Sequence, residues 1–164
     1  MGLVTTAGSN SADAYCSLAE ATAYFATRMH ATSWAALTEA NQEAAIKWAT
    51  RLLDDLMDWS GQKANRDQAL RWPRGFVYDP DGFSVDGTTI PTFLKNATAE
   101  FARYLAADDR LDDSDLGYSE IKLGSLALKI DKRDRRSLMP SSVWHAIKHY
   151  GNRSTGGPLT LQRV

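Results

Sequence analysis

Apolar residues recur at helical spacing in several stretches of the chain. The longest of these stretches follows Thr38, which is suited to cap a helix N-terminus, and it extends through Met57. An earlier helix is predicted to begin after Ser17 and to end near Met29, because Ser17 and Glu20 have the spacing of a capping box. The apolar face of the longest helix consists of Ala45, Ala49, Leu52, Leu53 and Leu56.

Two further helices are predicted nearer the C-terminus. Pro91 stands at a favoured first helical position, and the aspartate-rich stretch that begins at Asp108 ends the helix that follows. The last helix opens at Pro140 and is closed by Gly151. The apolar faces of these two helices consist of Leu94, Ala97, Thr98, Phe101, Tyr104 and Leu105, and of Val143, Trp144 and Ile147.

A long connection, residues 62–90, separates the second and third helices. We expect Gly61 to stop the second helix, because glycine tolerates the left-handed geometry that commonly closes one. Asp81-Gly82 and Asp86-Gly87 are turn signals within the connection. Residues 118–130 alternate apolar and polar positions on both sides of Gly124, which predicts a β-hairpin. The residues of the connection that are available for short strands are Phe76, Val77, Phe83 and Val85.

These elements predict a mainly α-helical protein, a bundle of about four helices with a long loop, a small β-hairpin and extended termini. With 164 residues, of which 43% are hydrophobic, the chain is long enough to bury one core. Residues 1–14 are small and polar, which favours a flexible or extended arm. We place the helical domain at residues 15–151 and an extended C-terminal tail at residues 152–164.

The charge is distributed unevenly along the chain. Residues 1–118 contain 10 Lys/Arg and 17 Asp/Glu, whereas residues 119–164 contain 9 and 3, so the balances of -7 and +6 give the net charge of -1. A basic C-terminal part can dock on an acidic protein surface, lie beside DNA, or pair with the acidic face of an identical subunit. The charge pattern alone leaves these three partners open.

The sequence contains no constellation that is typical of catalysis. His145 and His149 have the i, i+4 spacing of metal ligands but lack a third ligand, so surface histidines are the preferred interpretation. Asp54 has no convergent base or nucleophile and is expected to lie at a solvated helix end. Cys16 lacks a His and Asn constellation, and as the single cysteine it fits a reducing compartment. We therefore predict that the protein is not an enzyme, has no metal or cofactor, and does not enter a membrane.

Two stretches combine the residue types that bind nucleic acid. Trp72 stands between Arg71 and Arg74, and an exposed tryptophan beside cations can stack on the bases of a single strand. The other tryptophans are expected to pack in the core. Four cations within five residues, which we call the basic run, could attract DNA or an acidic protein, or could form a solvated loop. The basic run consists of Lys132, Arg133, Arg135 and Arg136.

The motifs W-x-G, Q-A-L-x-W-P-R, D-G and I-P follow an acidic helix in that order. This arrangement resembles the head-tail adaptor proteins of tailed bacteriophages, some of which carry the label DnaT-like single-stranded DNA-binding protein. The resemblance extends from about Tyr15 to Tyr150 and is most specific between Gly61 and Pro91. The positions that match the family pattern, and that the resemblance assigns to the fold and to subunit contacts, are Gly61, Gln68, Trp72, Pro73, Arg74, Gly82, Ile90, Pro91 and Gly124.

The resemblance implies a structural virion protein. Twelve copies would form a ring in the neck of the virion, after assembly in the host cytoplasm, with the portal protein on one side and the stopper or tail-completion protein on the other. The ring would extend the DNA channel, and packaged DNA would pass through it without specific binding. The alternative function is a single-stranded DNA-binding replication accessory. The candidate portal- or DNA-facing residues are Lys132, Arg133, Arg135, Arg136, Trp144, Arg153 and Arg163.

Overall fold

The computed structural model describes residues 2–108, 120–123, 126–129 and 137–154, and it is mainly helical. The described helices are α1 (Leu18–Ala26), α2 (Thr32–Ala35), α3 (Glu39–Leu56), α4 (Thr92–Ala107) and α5 (Ser141–Ile147). The described strands are β1 (Met57–Trp59), β2 (Gln62–Lys63), β3 (Arg74–Gly75), β4 (Glu120–Leu123), β5 (Leu126–Lys129) and β6 (Gly151–Arg153). They form the antiparallel pairs β1–β6, β2–β3 and β4–β5. The predicted class, helices with a small hairpin, is confirmed.

The predicted helix caps are present. The Ser17 hydroxyl accepts a hydrogen bond from the Glu20 amide at 3.2 Å, and the Glu20 carboxylate accepts one from the Ser17 amide at 2.8 Å, which completes the capping box. Thr38 caps α3 through the Asn41 amide at 3.3 Å. The helix α1 ends at Ala26, earlier than predicted, because the backbone and side chain of Thr27 turn back onto carbonyls of the last turn.

The core lies between α3, α4 and α5, with α1 packed against α3 and α4. The helices contribute their predicted apolar faces, since Leu53, Leu94 and Phe101 are fully buried. The segment before α1 also reaches the core, because Tyr15 and Cys16 are fully buried. Burial of each large apolar side chain contributes about 1.5–3 kcal/mol, so these faces dominate the stability of the fold.

The end of α3 differs from the prediction. Gly61 does not stop this helix, because the chain passes directly from Leu56 into β1, which pairs with β6. Trp59 lies opposite Gly151 in this pair, and a side chain at Gly151 would place its first carbon 2.6 Å from the Asp58 carbonyl oxygen. The glycine predicted to close α5 therefore permits close contact between two strands.

The long connection contains more backbone pairing than its turn signals indicate. The pair β2–β3 joins its two sides, and an isolated antiparallel bridge links Tyr78 to Ser84. The predicted hairpin is confirmed as β4–β5, whereas Gly124 at its turn lies outside the described residues. Within the described ranges, no helix is long and apolar enough to cross a membrane.

Candidate functional site

Trp72 lies in the core and not on the surface. Its side chain is 1% exposed, and its ring makes edge contacts with Trp59 and Phe93, each with centroids 5.7 Å apart. A cis peptide bond joins Trp72 to Pro73. A ring enclosed in this way cannot stack on a base, so the interpretation of Trp72 as a DNA-stacking residue is wrong.

Arg74 binds the protein's own backbone. Its guanidinium donates to the carbonyl oxygens of Ser60 and Gly61, both at 2.7 Å, of Arg71 at 3.1 Å and of Trp59 at 3.2 Å. Burial lowers the pKa of Arg74, but the group keeps its charge at any physiological pH. The Arg74 side chain thus holds the backbone at Trp59, Ser60 and Gly61, where the long connection begins, next to the Trp-Pro-Arg segment. Because its guanidinium is used in these bonds, Arg74 is not well placed to bind DNA.

Gln68 and Gly61 support the same segment as Arg74. We call residues 68–74 the Trp72 corner. Gln68 is buried, and its amide nitrogen donates to the carbonyls of Leu70 at 2.8 Å and Pro73 at 3.1 Å. Gly61 has φ 71°, and a side chain there would lie 2.2 Å from the Gly75 carbonyl oxygen. The residues of the Q-A-L-x-W-P-R motif therefore hold the fold.

A half-buried carboxylate connects the Trp72 corner to α3. Asp54 accepts hydrogen bonds from the Tyr15 hydroxyl, from the Arg71 amide at 3.0 Å and from the Trp59 indole nitrogen at 3.3 Å. Burial raises the pKa of Asp54, although these hydrogen bonds act in the opposite direction. The expectation that Asp54 lies at a solvated helix end is therefore wrong.

A second carboxylate, Glu100, connects α4 to α1. Glu100 is 4% exposed, and it accepts two hydrogen bonds from Arg28 and one from Arg103, each at 2.8 Å. Burial acts to raise the pKa of Glu100, but the hydrogen bonds from the two arginines outweigh it and hold the pKa below its ordinary value. This cluster is structural, because every charge in it has a partner within the fold.

Trp144 and Arg153 come together on the surface, although they belong to different elements. Trp144 lies on α5 and is half-buried, and the exposed Arg153 on β6 places its guanidinium carbon 4.7 Å from the centre of the Trp144 ring. The exposed residues nearby in the sequence are His145, Lys148 and His149, and residues 137–154 contain no Asp or Glu. We call the surface of these five residues the C-terminal face.

A second aromatic surface lies on the long connection. Phe76, Tyr78 and Phe83 are 75%, 58% and 72% exposed. They belong to a loop segment, residues 76–85, which we call the aromatic ribbon. It contains the isolated bridge between Tyr78 and Ser84, and the Val85 amide donates to the Val77 carbonyl at 2.8 Å. Since Val77 is 1% exposed, the ribbon is anchored in the core.

The aromatic ribbon is acidic. Residues 75–90 contain Asp79, Asp81 and Asp86 and no Lys or Arg. Burial raises the pKa of Tyr150, and the negative charges of Asp79 and Asp81 raise it further. The electrostatic field of the ribbon thus extends to Tyr150, whose ring stacks on Phe93 at 3.7 Å. The two aromatic surfaces of the protein therefore differ in charge.

The other candidates carry no additional site in the described residues. Lys132, Arg133, Arg135, Arg136 and Arg163 lie outside them. No group of three or more His, Cys, Asp or Glu side chains in the described residues could hold a metal ion. Burial raises the pKa of Cys16 to about 12, so its thiol is not reactive at neutral pH.

The sequence contained only part of the signal for these surfaces. Phe76 and Tyr78 are exposed on either side of buried Val77, but the φ of 58° at Phe76 departs from strand geometry, so the predicted strands did not show which side chains face solvent. Trp144 and Arg153 were both candidates, but no spacing rule joins a helix position to a strand nine residues later. Their contact depends on the β1–β6 pair.

Comparison with known proteins matches the chain to a family. A family model described as "Putative DnaT-like ssDNA binding protein" matches residues 1–164, which is the whole chain. Neither the curated proteins nor the solved structures contain a match. Nothing in these comparisons supports the resemblance to head-tail adaptors.

Proposed function

The chain belongs to the family of DnaT-like ssDNA binding proteins, and we propose that it binds single-stranded DNA through the C-terminal face. The observation that carries this proposal is the pair of Arg153 and Trp144, with 4.7 Å between guanidinium and ring centre. Single-strand binders combine aromatic rings, on which bases stack, with cations that hold the phosphates. A guanidinium plane is itself a stacking surface for a base.

The charge of the C-terminal face supports the same proposal. Lys148 and Arg153 are exposed, and residues 137–154 contain no Asp or Glu, although Asp58 lies opposite Asn152 in the β1–β6 pair. Neither cation has a salt-bridge partner in the described part of the chain. Binding a phosphate at these positions therefore requires no existing ion pair to break.

The aromatic ribbon is the less favourable surface for DNA. Its exposed rings could stack on bases, but Asp79, Asp81 and Asp86 are fixed near them and would repel the phosphates. Hydrogen bonds from Thr88 and Thr89 lower the pKa of Asp86, so that this carboxylate is charged at neutral pH. The charges of the two surfaces therefore favour DNA binding at the C-terminal face and a different partner at the ribbon.

The proposal is tested by measuring the affinity of the full chain for labelled single-stranded oligonucleotides at several salt concentrations. We expect Trp144→Ala to weaken binding roughly 5- to 150-fold, because stacking on one base contributes about 1–3 kcal/mol. Arg153→Ala should weaken binding and also flatten the salt dependence by about 0.7 of a logarithmic unit per unit of log salt, the value for one phosphate contact.

Two further variants keep this test clear. Trp48 is 39% exposed on α3, away from the C-terminal face in the sequence, so Trp48→Ala serves as the matched aromatic control and should retain affinity. Trp144→Phe preserves the packing of α5 in case the alanine variant unfolds. Equal affinity of wild type, Trp144→Ala and Arg153→Ala would exclude the C-terminal face, and absence of binding by the wild type would exclude the function.

A second candidate function is a head-tail adaptor of a tailed bacteriophage, and one observation favours it. Gln68, Trp72 and Arg74 of the adaptor-like motif all serve the internal Trp72 corner, while the aromatic ribbon remains exposed. A fold that rigidly presents an uncovered aromatic surface suits a protein that assembles with other proteins. Under this proposal a twelve-fold ring would lie between portal and stopper, and the basic run, the last helix and the tail would contact the portal.

The adaptor function is tested by sedimentation with purified portal rings at physiological salt. An adaptor should sediment with the rings and should not require DNA to do so. A protein that stays in the supernatant with portal, while it binds single-stranded DNA, would exclude the adaptor function and leave the first proposal standing.

A further inference from the structure

The aromatic ribbon presents three large rings without a partner in the described part of the chain. Phe76, Tyr78 and Phe83 are each more than half exposed, a condition that is costly for a solvated surface unless it serves binding. Among the described residues Met29 is also strongly exposed, at 76%, but it lies beyond the end of α1 and far from the ribbon in the sequence. Clustering within nine residues distinguishes the ribbon from such scattered exposure.

The ribbon is rigid, which lowers the entropy lost on binding. The Asp79 carboxylate accepts hydrogen bonds from the amides of Phe83 at 2.8 Å and Asp81 at 3.0 Å. The Asp79 amide in turn donates to the Phe83 carbonyl at 2.9 Å. The backbone of Phe83 is therefore held by both its amide and its carbonyl, which fixes the point from which its exposed ring extends.

Charge identifies the kind of partner. Three aspartates lie in residues 75–90, and no lysine or arginine balances them within that stretch. No cation forms a salt bridge with Asp79 or Asp81 in the described part of the chain. Aromatic rings beside carboxylates favour a segment rich in arginine and lysine, because such side chains pair with the acids and stack on the rings.

We propose that the aromatic ribbon binds the basic run of a second copy of this chain. The basic run has four cations and one Asp within residues 132–136, and it lies in the part of the chain that carries the charge of +6. The acidic part that contains the ribbon carries -7. A contact between two different surfaces joins copies head to tail. This proposal is independent of DNA binding and leaves portal contact to the last helix and the tail.

The decisive experiment uses two variants of the full chain, each defective in one half of the contact. The ribbon variant carries Phe76→Ser, Tyr78→Ser and Phe83→Ser, and the run variant carries alanine at the four cations of the basic run. Wild type should sediment as species larger than the 18.1 kDa chain at low salt, with a share that grows with concentration. Each variant alone should sediment as a monomer.

An equimolar mixture of the two variants separates this contact from others. The run variant retains an intact ribbon and the ribbon variant retains an intact basic run, so one contact can form and the mixture should contain a dimer of twice the chain mass. If identical surfaces met, the variant that retains that surface would associate on its own, and if the basic run bound the ribbon of its own chain, wild type would be monomeric. A mixture that stays monomeric would show that the two surfaces do not bind each other. That result would overturn the proposal.

Matched controls exclude effects of apolarity and of net charge. Met29→Ser removes an exposed apolar side chain outside the ribbon, and Arg51→Glu with Arg66→Glu lowers the net charge by four, as the run variant does. Both controls should assemble as wild type does. Asp81→Lys, which leaves the rings in place, should shift the association to at least tenfold higher protein concentration. A wild type that is monomeric at every concentration, or a ribbon variant that assembles normally, would overturn the proposal.

Discussion

At the scale of single residues, the buried carboxylates Asp54 and Glu100 have pKa values shifted in opposite directions. Both carboxylates accept several hydrogen bonds, yet burial raises the pKa of Asp54, whereas the bonds from Arg28 and Arg103 hold the pKa of Glu100 low. The two carboxylates differ in the charge of their donors. Asp54 is bound mainly by neutral donors, and Glu100 by two guanidinium groups. Hydrogen bonds from charged donors offset the desolvation of a carboxylate more strongly than bonds from neutral donors do.

Glu100→Gln is expected to lower the free energy of unfolding by about 2 kcal/mol at pH 7, because it leaves two arginines without a counter-charge. The folded-state pKa of Glu100 lies below its ordinary value of 4.5, so its contribution is complete above pH 4.5 and disappears as the pH falls through the folded-state value. Urea unfolding of both proteins between pH 7 and pH 3 measures this difference.

The control for this prediction is Glu43→Gln on α3. Glu43 forms no salt bridge in the described region, so its substitution should change the unfolding free energy by no more than about 0.5 kcal/mol. A difference between Glu100→Gln and wild type that stays constant from pH 7 to pH 3 would show that the ion cluster is not its cause.

At the scale of elements, the Trp72 corner shows that an arginine motif can be structural. Arg74→Lys should cost about 2 kcal/mol, because a single ammonium group cannot reach the four carbonyls that the guanidinium fork binds. Denaturant unfolding measures the loss, and the affinity for single-stranded DNA should not change. Arg66→Lys, at an exposed arginine, is the control. If the Arg74→Lys variant were stable but failed to bind DNA, Arg74 would be part of the DNA-binding site and the prediction would be wrong.

The helices could be predicted from the sequence because their signals are local. The capping box at Ser17 and the cap at Thr38 act over three residues, and the structure contains both. The pair β1–β6 could not be predicted, since it joins three-residue strands more than ninety residues apart. The sequence pattern of Trp72 between two arginines is the same whether the tryptophan ring is buried or exposed. What decides its position is the binding of Arg74 to backbone carbonyls, which is a tertiary contact.

The residue types of the candidate site could be predicted from the sequence, but the contacts between them could not. Trp144 and Arg153 could be selected by residue type, because aromatic and cationic side chains in a basic region are typical of nucleic-acid surfaces. Their contact, and the exposure of Phe76 and Phe83, depend on how distant segments pair. The sequence also could not show that Asp54 is covered, since Tyr15 and the Trp72 corner reach it only in the folded chain.

At the scale of the whole molecule, the division of charge gives the two aromatic surfaces different partners. The C-terminal face has cations and no carboxylate in its stretch of sequence, and the aromatic ribbon has carboxylates and no cation in its own. The net charge of -1 is therefore the sum over a chain that has one basic and one acidic aromatic surface, which favour ligands of opposite charge. Phosphates are attracted to the first and repelled by the second, so DNA and a second copy of the chain need not compete for one site.

This division predicts that the two activities can be separated. The ribbon variant should retain the wild-type affinity for single-stranded DNA within about twofold, the change expected of a surface substitution away from the site. Arg153→Ala should lose DNA affinity but sediment as wild type does. Added salt should weaken DNA binding more steeply than self-association, because counterion release drives the first and burial of the ribbon's rings contributes to the second. Loss of both activities in either variant would mean that one surface serves both, and that charge does not divide them.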